Sequence, residues 1–217
     1  MHLLHSKKIV IATHNIGKLR EINDLIAPYG FENQSAIELG LPVPKEIGKS
    51  FEENAYIKAL SAAEITGGPA LSDDSGLEVD ALAGAPGIHT AAWAEQPDGT
   101  RNFLAAMKKV ESRLQKAGAK DETRRTGRFI CILCIAWPDG YAEYFKGTVE
   151  GRLVWPPRGL HGFGFDSMFQ PVGYKRTFGE MHSDEEPIWK DGNKKGLSHR
   201  VRAFEHFAKS RLILAQG

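Results

Sequence analysis

The chain is organised around the stretch Leu71-Ser72-Asp73-Asp74-Ser75-Gly76-Leu77-Glu78-Val79-Asp80. The apolar pair Ala70-Leu71 follows a helix-stopping Gly-Gly-Pro and predicts the end of a buried strand. Because neighbouring side chains on a strand point to opposite faces, Asp73 and Asp74 share one site only if the backbone turns, as Ser75-Gly76 permits. Carboxylates at the C-terminal end of a strand are hard oxygen ligands that suit a divalent cation such as Mg2+. The alternative is a solvated turn.

The composition is that of an ordinary globular protein, with a hydrophobic fraction of 41% and a charged fraction of 25%. The length of 217 residues fits one domain, or one compact body with two lobes. The 28 Lys and Arg residues nearly balance the 27 Asp and Glu residues, which argues against binding nucleic acid through bulk charge. No apolar run reaches the ~20 residues that cross a bilayer, and the start lacks a signal-peptide core, so we expect a cytoplasmic protein.

The two cysteines, Cys131 and Cys134, lie in the apolar run 129–137. Their spacing matches a Cys-x-x-Cys redox motif, which needs a turn and the start of a helix. The run is typical of a strand, which places the two thiols on opposite faces. We therefore expect buried core cysteines.

The segment Thr13-His14-Asn15-Ile16-Gly17-Lys18 joins a predicted strand to a predicted helix. The apolar run 9–12 predicts the strand, and apolar spacing over 18–26 predicts the helix, with Asn15 as its N-cap. Lys18 in the first turn opposes the helix dipole by about 0.3 to 1 kcal/mol, and an anion bound at the helix N-terminus removes this conflict. The alternative is a lysine that points into water.

Two glutamates near the next predicted helix are candidate metal ligands. The run Ser50-Phe51-Glu52-Glu53 is typical of a capping box and predicts a helix after a connection over 31–49. Glu46 precedes this box, whereas Glu53 already has a structural role as its acidic member. Lys58 on the same helix is either a solvated charge or a second phosphate contact.

The second half of the chain predicts a helix and a hairpin. Apolar spacing predicts the helix from Asp98 to about Lys116. The strand-like runs 128–137 and 141–149 flank Pro138-Asp139-Gly140, a turn that joins antiparallel strands. The hairpin interrupts an alternating strand–helix pattern, so the sequence predicts an α/β fold with a mixed sheet or a second lobe.

A purine-binding pocket is one interpretation of the Gly- and aromatic-rich segment 151–171. Its run Gly162-Phe163-Gly164-Phe165-Asp166 offers a flat apolar face, close backbone and one carboxylate, although an ordinary core turn has the same features. Ser198 is a good N-cap for a last helix, where His199 and Arg200 place positive donors in the first turn. Such donors favour an electron-rich partner.

With these motifs the chain resembles the inosine triphosphate pyrophosphatase family, which hydrolyses non-standard purine nucleoside triphosphates. The resemblance rests on four motifs that occur in the family's order: 13–18, 46–55, 71–93, and 162–166 followed by Ser198-His199-Arg200. It implies one domain over residues 1–217, with an elongated two-lobed α/β fold around a mixed sheet and a cleft between the lobes. It also implies Mg2+ as cofactor, a purine nucleoside triphosphate substrate and a homodimer, without nucleic-acid or membrane partners.

The resemblance also implies roles for single residues. The triphosphate is held by Thr13, His14, Asn15, Ile16, Gly17 and Lys18. Glu46 and Asp74 bind Mg2+ with Asp73 close by, while Asp74 is also the general base. Ser75 contacts substrate, and the base pocket consists of Phe163, which stacks on the purine, Gly164, Phe165, Asp166, Lys194, His199 and Arg200.

Three departures from the family pattern occur. His14 stands where glycine or asparagine is commoner, and Ser167-Met168 replaces the usual Pro-Ile. Lys195 stands where the family usually has asparagine, which leaves the base-pocket assignment open between Lys194 and Lys195.

The expected reaction converts ITP, dITP and XTP to monophosphates and pyrophosphate. Donors such as His199 and Arg200 suit the 6-oxo group of these purines and oppose the 6-amino group of adenine. A related-fold pyrophosphatase acting on dTTP or modified pyrimidine nucleotides is the nearest alternative. A nucleotide- or nucleic-acid-binding module without turnover is another.

Overall fold

The computed structural model describes residues 2, 4, 7–182 and 196–212 of the chain. Its six strands are β1 Lys8–Ile11, β2 Glu32–Ser35, β3 Ala70–Val79, β4 Thr126–Ala136, β5 Ala142–Leu153 and β6 Phe169–Pro171. Its α-helices are α1 Ile16–Ile26, α2 Phe51–Thr66, α3 Phe103–Lys116 and α4 His199–Phe207, which continues as a π-helical turn at Ala208–Leu212. Within these residues, none of the helices combines the length and apolar character that a membrane span requires.

The six strands form one sheet in the order β2-β1-β3-β4-β5-β6. Strand β1 pairs in parallel with both β2 and β3, whereas β5 and β6 are antiparallel. The predicted α/β class with a mixed sheet is therefore confirmed. The predicted hairpin is also present, because the chain reverses between the neighbouring strands β4 and β5, where the Trp137 N–H donates to the Tyr141 carbonyl at 2.9 Å.

The chain divides into two compact units. The first comprises Met1–Asp74, Cys131–Gly147 and Arg200–Gly217, and the second comprises Ser75–Ile130 and Thr148–His199. Each unit is therefore assembled from separate stretches of the chain. The assignment of both to one domain with two lobes stays a prediction.

Small side chains let α2 pack closely on the sheet in the first unit. Ala62 and Ala63 of α2 form a buried cluster with Val10 of β1, with Ala12, which follows β1, and with Ala70 of β3. A side-chain hydrogen bond adds to this contact, since the Ser72 hydroxyl on β3 donates to the Ala55 carbonyl on α2 at 2.5 Å. This packing places the end of β1 and the middle of β3 beside the same helix.

The cysteines are buried and unpaired on β4, as predicted. Burial raises the pKa of both the Cys131 and the Cys134 thiol to about 12. Thiols that remain protonated at neutral pH are poor nucleophiles and poor metal ligands. Cys131 and Cys134 therefore belong to the core.

An aromatic and aliphatic core fills the second unit. Helix α3 contributes Met107, Val110 and Leu114 to a buried cluster that also contains Phe129 and Phe169. These α3 positions recur at three and four residues, which is the spacing of one helix face.

Two element predictions were wrong in detail, and one strand was not predicted. Strand β2 lies inside the predicted connection 31–49; its sequence Glu-Asn-Gln-Ser has low β propensity, and pairing with β1 decides its conformation. Strand β6, which is only three residues long, lies in the Gly- and aromatic-rich segment 151–171, where no strand was predicted. Helix α3 begins at Phe103 rather than at Asp98, because Asp98 accepts the Thr100 N–H in a separate turn.

Candidate functional site

The predicted turn at the paired carboxylates does not exist. Strand β3 runs unbroken from Ala70 to Val79, with Asp73 and Asp74 in its middle. Its neighbours β1 and β4 flank it in the sheet, and pairing in the sheet favours a continuous strand over a bend. Alternation along the strand then gives the two carboxylates different partners.

Asp73 is held by two cations. Its Oδ2 lies 3.0 Å from the Lys18 Nζ and 3.2 Å from the Arg200 Nη2. Burial alone raises the pKa of this carboxyl, but Lys18, Arg200 and Lys58 outweigh burial and hold the pKa well below its ordinary value. Asp73 is therefore ionised throughout the neutral range.

Arg200 completes this network from the start of α4. Its side chain is only 1% exposed, and its Nη1 forms a short contact with the Glu21 carboxylate on α1. Glu21 follows Lys18 by three residues, so both side chains lie on one face of α1. The guanidinium thus contacts carboxylates in this structure, and its predicted role in reading a purine base stays a prediction.

Asp74 has a different environment. The Lys58 Nζ donates to its Oδ1 at 2.8 Å and to the Glu46 Oε1 at 3.0 Å. The other oxygen, Oδ2, is buried without a hydrogen-bond partner among the described residues. Burial outweighs the attraction of Lys58 and Lys18 and raises the pKa of Asp74 above its ordinary value. A carboxylate of this kind accepts a proton more readily than Asp73 does.

The two carboxylates on β3 thus differ in chemistry. Neighbouring titratable groups whose pKa values are pushed apart commonly divide acid–base and electrostatic roles between them. Asp73 is the permanent anion that holds Lys18 and Arg200. Asp74 is the carboxylate that takes up a proton more readily, and its Oδ2 has no hydrogen-bond partner among the described residues.

The loop before α1 is shaped by its own polar side chains. The Asn15 Oδ1 accepts the Lys18 N–H at 3.2 Å, which confirms Asn15 as the N-cap, and the Thr13 hydroxyl accepts the Asn15 N–H at 3.2 Å. The N–H groups of Ile16 and Gly17 have no acceptor within the described part of the chain. The first turn of α1 also lacks an acidic residue. This helix start is therefore suited to an anion.

Two further side chains of this loop have defined positions. The Lys18 ammonium faces Asp73 and its side chain is 16% exposed, so the alternative of a lysine in open water is wrong. The His14 Nε2–H donates to the Leu41 carbonyl at 2.9 Å. This bond ties the loop to the segment before α2.

The start of α2 holds the segment that carries Glu46. The Ser50 hydroxyl accepts the Glu53 N–H at 3.1 Å, and the Glu53 carboxylate accepts the Lys49 N–H at 2.6 Å. Glu53 thus accepts a backbone N–H at the helix start, as the predicted capping box requires, but the donor is Lys49 and not the N-cap residue Ser50. Close packing adds a second restraint, because a Cβ on Gly48 would lie 2.7 Å from the Asn54 Oδ1.

The sequence did not single out Glu21 as part of the site, and it left Lys58 open between a solvated charge and a second phosphate contact. Lys58 joins the two carboxylates predicted to bind metal, and Glu21 holds Arg200. The available signal for Glu21 was its spacing from Lys18 on α1. For Lys58 the signal was only its presence on the helix that follows Glu46.

In the second unit, the run around Phe163 divides into an exposed and a buried ring. Phe163 is 42% exposed, whereas Phe165 is 1% exposed and packs edge-on against Phe103 with ring centroids 5.8 Å apart. The Asp166 Oδ2 accepts the Phe163 N–H at 2.7 Å, which closes the turn. Gly162 is required there, since its φ is +73° and a Cβ would lie 2.3 Å from the Asp166 Oδ2.

The other predicted substrate-binding residues are placed as follows. His199 is half-buried and its imidazole stacks on the Phe129 ring. Ser75 follows Asp74 on β3 and is half-buried. Lys194 and Lys195 lie outside the described residues.

The comparisons with known proteins identify the family. The profile of the Ham1 family matches residues 9–210, and the chain belongs to this family. The dITP/XTP pyrophosphatase of Bartonella quintana is 61% identical over 215 residues, which cover 99% of this chain and 100% of that protein. The protein of the same name from Mesorhizobium japonicum is 59% identical, with coverage of 99% and 97%. The predicted family is thereby confirmed.

Solved structures support the same fold. A HAM1 protein from Coxiella burnetii has a TM-score of 0.82 at 32% identity, covering 97% of this chain and 99% of that chain. The Staphylococcus aureus Ham1 protein has a TM-score of 0.78 at 29% identity, covering 97% of this chain and 100% of that chain.

Proposed function

We propose that this protein hydrolyses non-standard purine nucleoside triphosphates, namely ITP, dITP and XTP, to the monophosphate and pyrophosphate. The observation that carries the proposal is the arrangement on β3. Asp73 holds Lys18 and Arg200, and Asp74 beside Lys58 keeps a buried oxygen that has no hydrogen-bond partner among the described residues. The names of relatives that match almost the whole chain support the substrate class.

The chemistry divides between cations and a base. Lys18 and the N–H groups at the start of α1 bind the phosphates, whose charge this cationic helix start accommodates. Asp74 accepts the proton of the attacking water, in keeping with its raised pKa. As this proton leaves, the water oxygen forms a bond to the α-phosphorus, and the P–O bond to the pyrophosphate leaving group breaks. Lys58, which contacts Asp74, would add a second cation for the phosphates.

The described residues fit a Mg2+ ion. Asp74 offers its unpartnered Oδ2, and the Glu46 carboxylate is linked to the Asp74 carboxylate through one Lys58 ammonium. No group of three or more metal-binding side chains occurs in the described part of the chain, but Mg2+ commonly takes only one or two carboxylates and completes its shell with water and phosphate oxygens. Glu46 and Asp74 would hold the ion, which would neutralise phosphate charge.

The base is recognised by stacking and by a hydrogen-bond donor. Phe163 presents an exposed ring on which a purine stacks, while Phe165 and Asp166 hold the turn behind it. An imidazole N–H of His199 donates to the 6-oxo group. Adenine presents a 6-amino donor to the same group and is rejected. The homodimer and the cytoplasmic location stay predictions.

The test is a substrate panel with product identification. Purified protein is incubated with ITP, XTP, dITP, ATP, GTP or dTTP, with and without Mg2+, and the products are separated by ion-exchange chromatography. We expect Mg2+-dependent release of pyrophosphate and the monophosphate, fastest from ITP, XTP or dITP. Release of single phosphate, or fastest turnover of dTTP, would overturn the proposal.

A further inference from the structure

The imidazole of His199 lies on a fixed aromatic support in the second unit. Its ring and the Phe129 ring have centroids 5.0 Å apart and planes inclined by 19°, a stacked arrangement. Phe129 lies on β4 and is 6% exposed. The contact therefore joins the first residue of α4 to the interior of the unit.

Phe129 is itself held by neighbouring rings. Its centroid lies 4.4 Å from that of Phe169 and 6.2 Å from that of Phe178. Phe169 and Phe178 stack on each other with centroids 5.7 Å apart and planes inclined by 9°. Because all three rings are buried in a close-packed core, a rotation of Phe129 requires its neighbours to move.

A stack of this kind restricts the direction in which His199 donates. An N–H bond of an imidazole lies in the ring plane, so a support that fixes the ring plane also fixes the plane in which the imidazole donates. The stack on Phe129 restricts rotation about the terminal side-chain torsion of His199, a torsion that has a broad energy profile on its own. It thereby contributes to a defined orientation of the imidazole.

We propose that Phe129 is a positioning residue for base selection. It fixes the plane of the His199 imidazole so that an imidazole N–H reaches the purine 6-oxo group, and it acts through His199 without touching the substrate. The inference deepens the proposed function and rests on it. It assigns part of the substrate specificity to a core residue.

The first test is the ratio of kcat/KM for ITP to that for ATP in Phe129→Leu. Loss of an aromatic stack corresponds to a fall in this ratio of about three- to tenfold. We expect the loss to lie in KM for ITP, because the hydrogen bond to the base is present in both the ground state and the transition state. Phe129→Met, which keeps an unbranched apolar side chain, is the second variant if Phe129→Leu does not fold.

Phe145→Leu is the matched control. It removes a buried ring from β5 in the first unit, where Phe145 packs against Phe207 with ring centroids 5.4 Å apart. It therefore also lowers stability, and we expect the ITP-to-ATP ratio to stay at the wild-type value. A fall in the ratio for Phe145→Leu as large as that for Phe129→Leu would show a general packing effect and would overturn the inference.

A double-mutant cycle tests whether Phe129 acts through His199. Phe129→Leu should cause no further fall in the ratio when His199→Gln is already present. Additive effects would overturn the inference. A wild-type protein that releases pyrophosphate from ITP, together with a Phe129→Leu ratio equal to wild type, would overturn this inference alone. A wild-type protein without turnover would overturn the proposed function and the inference with it.

Discussion

Asp73 and Asp74 are covalent neighbours with opposite electrostatic environments. Strand alternation turns Asp73 towards Lys18 and Arg200, and it turns Asp74 towards Lys58 with one oxygen left without a partner in the described chain. The local cations stabilise the ionised form of Asp73 more than burial opposes it, and the reverse holds for Asp74. A substitution of each residue should therefore have a different consequence.

Asp74→Asn should abolish turnover and leave the fold intact. The amide cannot accept a proton from water, while its volume and one acceptor oxygen are preserved. Pyrophosphate release from ITP measures the loss, and far-UV circular dichroism checks the fold. Retention of most of the activity would remove Asp74 from the mechanism.

Asp73→Asn should lower stability. It leaves the Lys18 ammonium and the buried Arg200 guanidinium beside a neutral amide, and the loss of one partner of a buried ion pair costs about 3 kcal/mol. Urea unfolding in the presence of EDTA measures this cost without metal binding. Asp24→Asn on the exposed side of α1 is the control and should leave the midpoint nearly unchanged. Equal midpoints for the two variants would contradict the assigned role.

At the scale of elements, the start of α1 combines a cap with the proposed anion site. Asn15→Asp keeps an acceptor for the Lys18 N–H and places a negative charge where we propose that the phosphates bind, so stability should be retained while KM for ITP rises about tenfold, or about 1.4 kcal/mol. Asn15→Ala removes the cap and should cost about 1 kcal/mol of stability. Urea unfolding and steady-state kinetics measure the two effects. An unchanged KM in Asn15→Asp would place the phosphates elsewhere.

A buried ion pair joins α3 to Arg125, the residue just before β4, in the second unit. The Arg125 Nη2 lies 2.5 Å from the Glu111 Oε2, and the Arg125 Nε donates to the Leu153 carbonyl at 2.8 Å. Burial raises the pKa of Glu111, but Arg125 and Gln115 outweigh burial and lower the pKa below its ordinary value. The Glu111–Arg125 ion pair therefore stabilises the fold at pH values above the pKa of an unfolded glutamate. This stabilisation is lost as the pH falls through the lowered pKa of Glu111 in the folded state.

Glu111→Gln should lower stability at neutral pH by about 1.5 to 3 kcal/mol, the range for a hydrogen bond to a charged group. It should also reduce the acid-induced loss of stability, since the variant has no carboxyl at this position to protonate. Urea midpoints measured from neutral to acidic pH give both effects. Parallel pH curves for the wild type and the variant would contradict the assigned pKa direction.

Most elements of the sheet were predictable because their residues satisfy both local and global preferences. Strands β1, β4 and β5 consist largely of residues that favour strands and are buried. Turn residues between β4 and β5 then favour the hairpin. Strand β2 was missed because its polar residues form a strand only through pairing with β1. The course of β3 was missed because an Asp-Asp-Ser-Gly run has the residues of a turn, and only its position between two strands keeps it extended.

The candidate site was predictable to a similar extent. Residue type and helix position indicated Asn15, Lys18 and the paired carboxylates. The partner of Arg200 was not predictable, because Asp73 lies 127 positions away in the sequence and only the fold brings the two together. The joining of Glu46 to Asp74 through Lys58 depends on packing of α2 against β3 in the same way.

At the scale of the whole molecule, the chain passes between the two units inside regular elements. The boundaries after Asp74, Ile130, Gly147 and His199 fall within β3, β4, β5 and α4. A strand or helix that belongs to both units loses hydrogen bonds on both sides when either unit unfolds. The units should therefore unfold together.

We expect one cooperative unfolding transition in urea, with coincident curves from tryptophan fluorescence and far-UV circular dichroism. Asp73→Asn perturbs the first unit and Glu111→Gln the second, and each should move this single midpoint to lower urea without changing the slope. The sum of their effects should equal the effect of the double variant, because the sites share no partners. Two separate transitions, each shifted by only one of the variants, would show that the units unfold independently and that the continuity of β3, β4, β5 and α4 does not couple them.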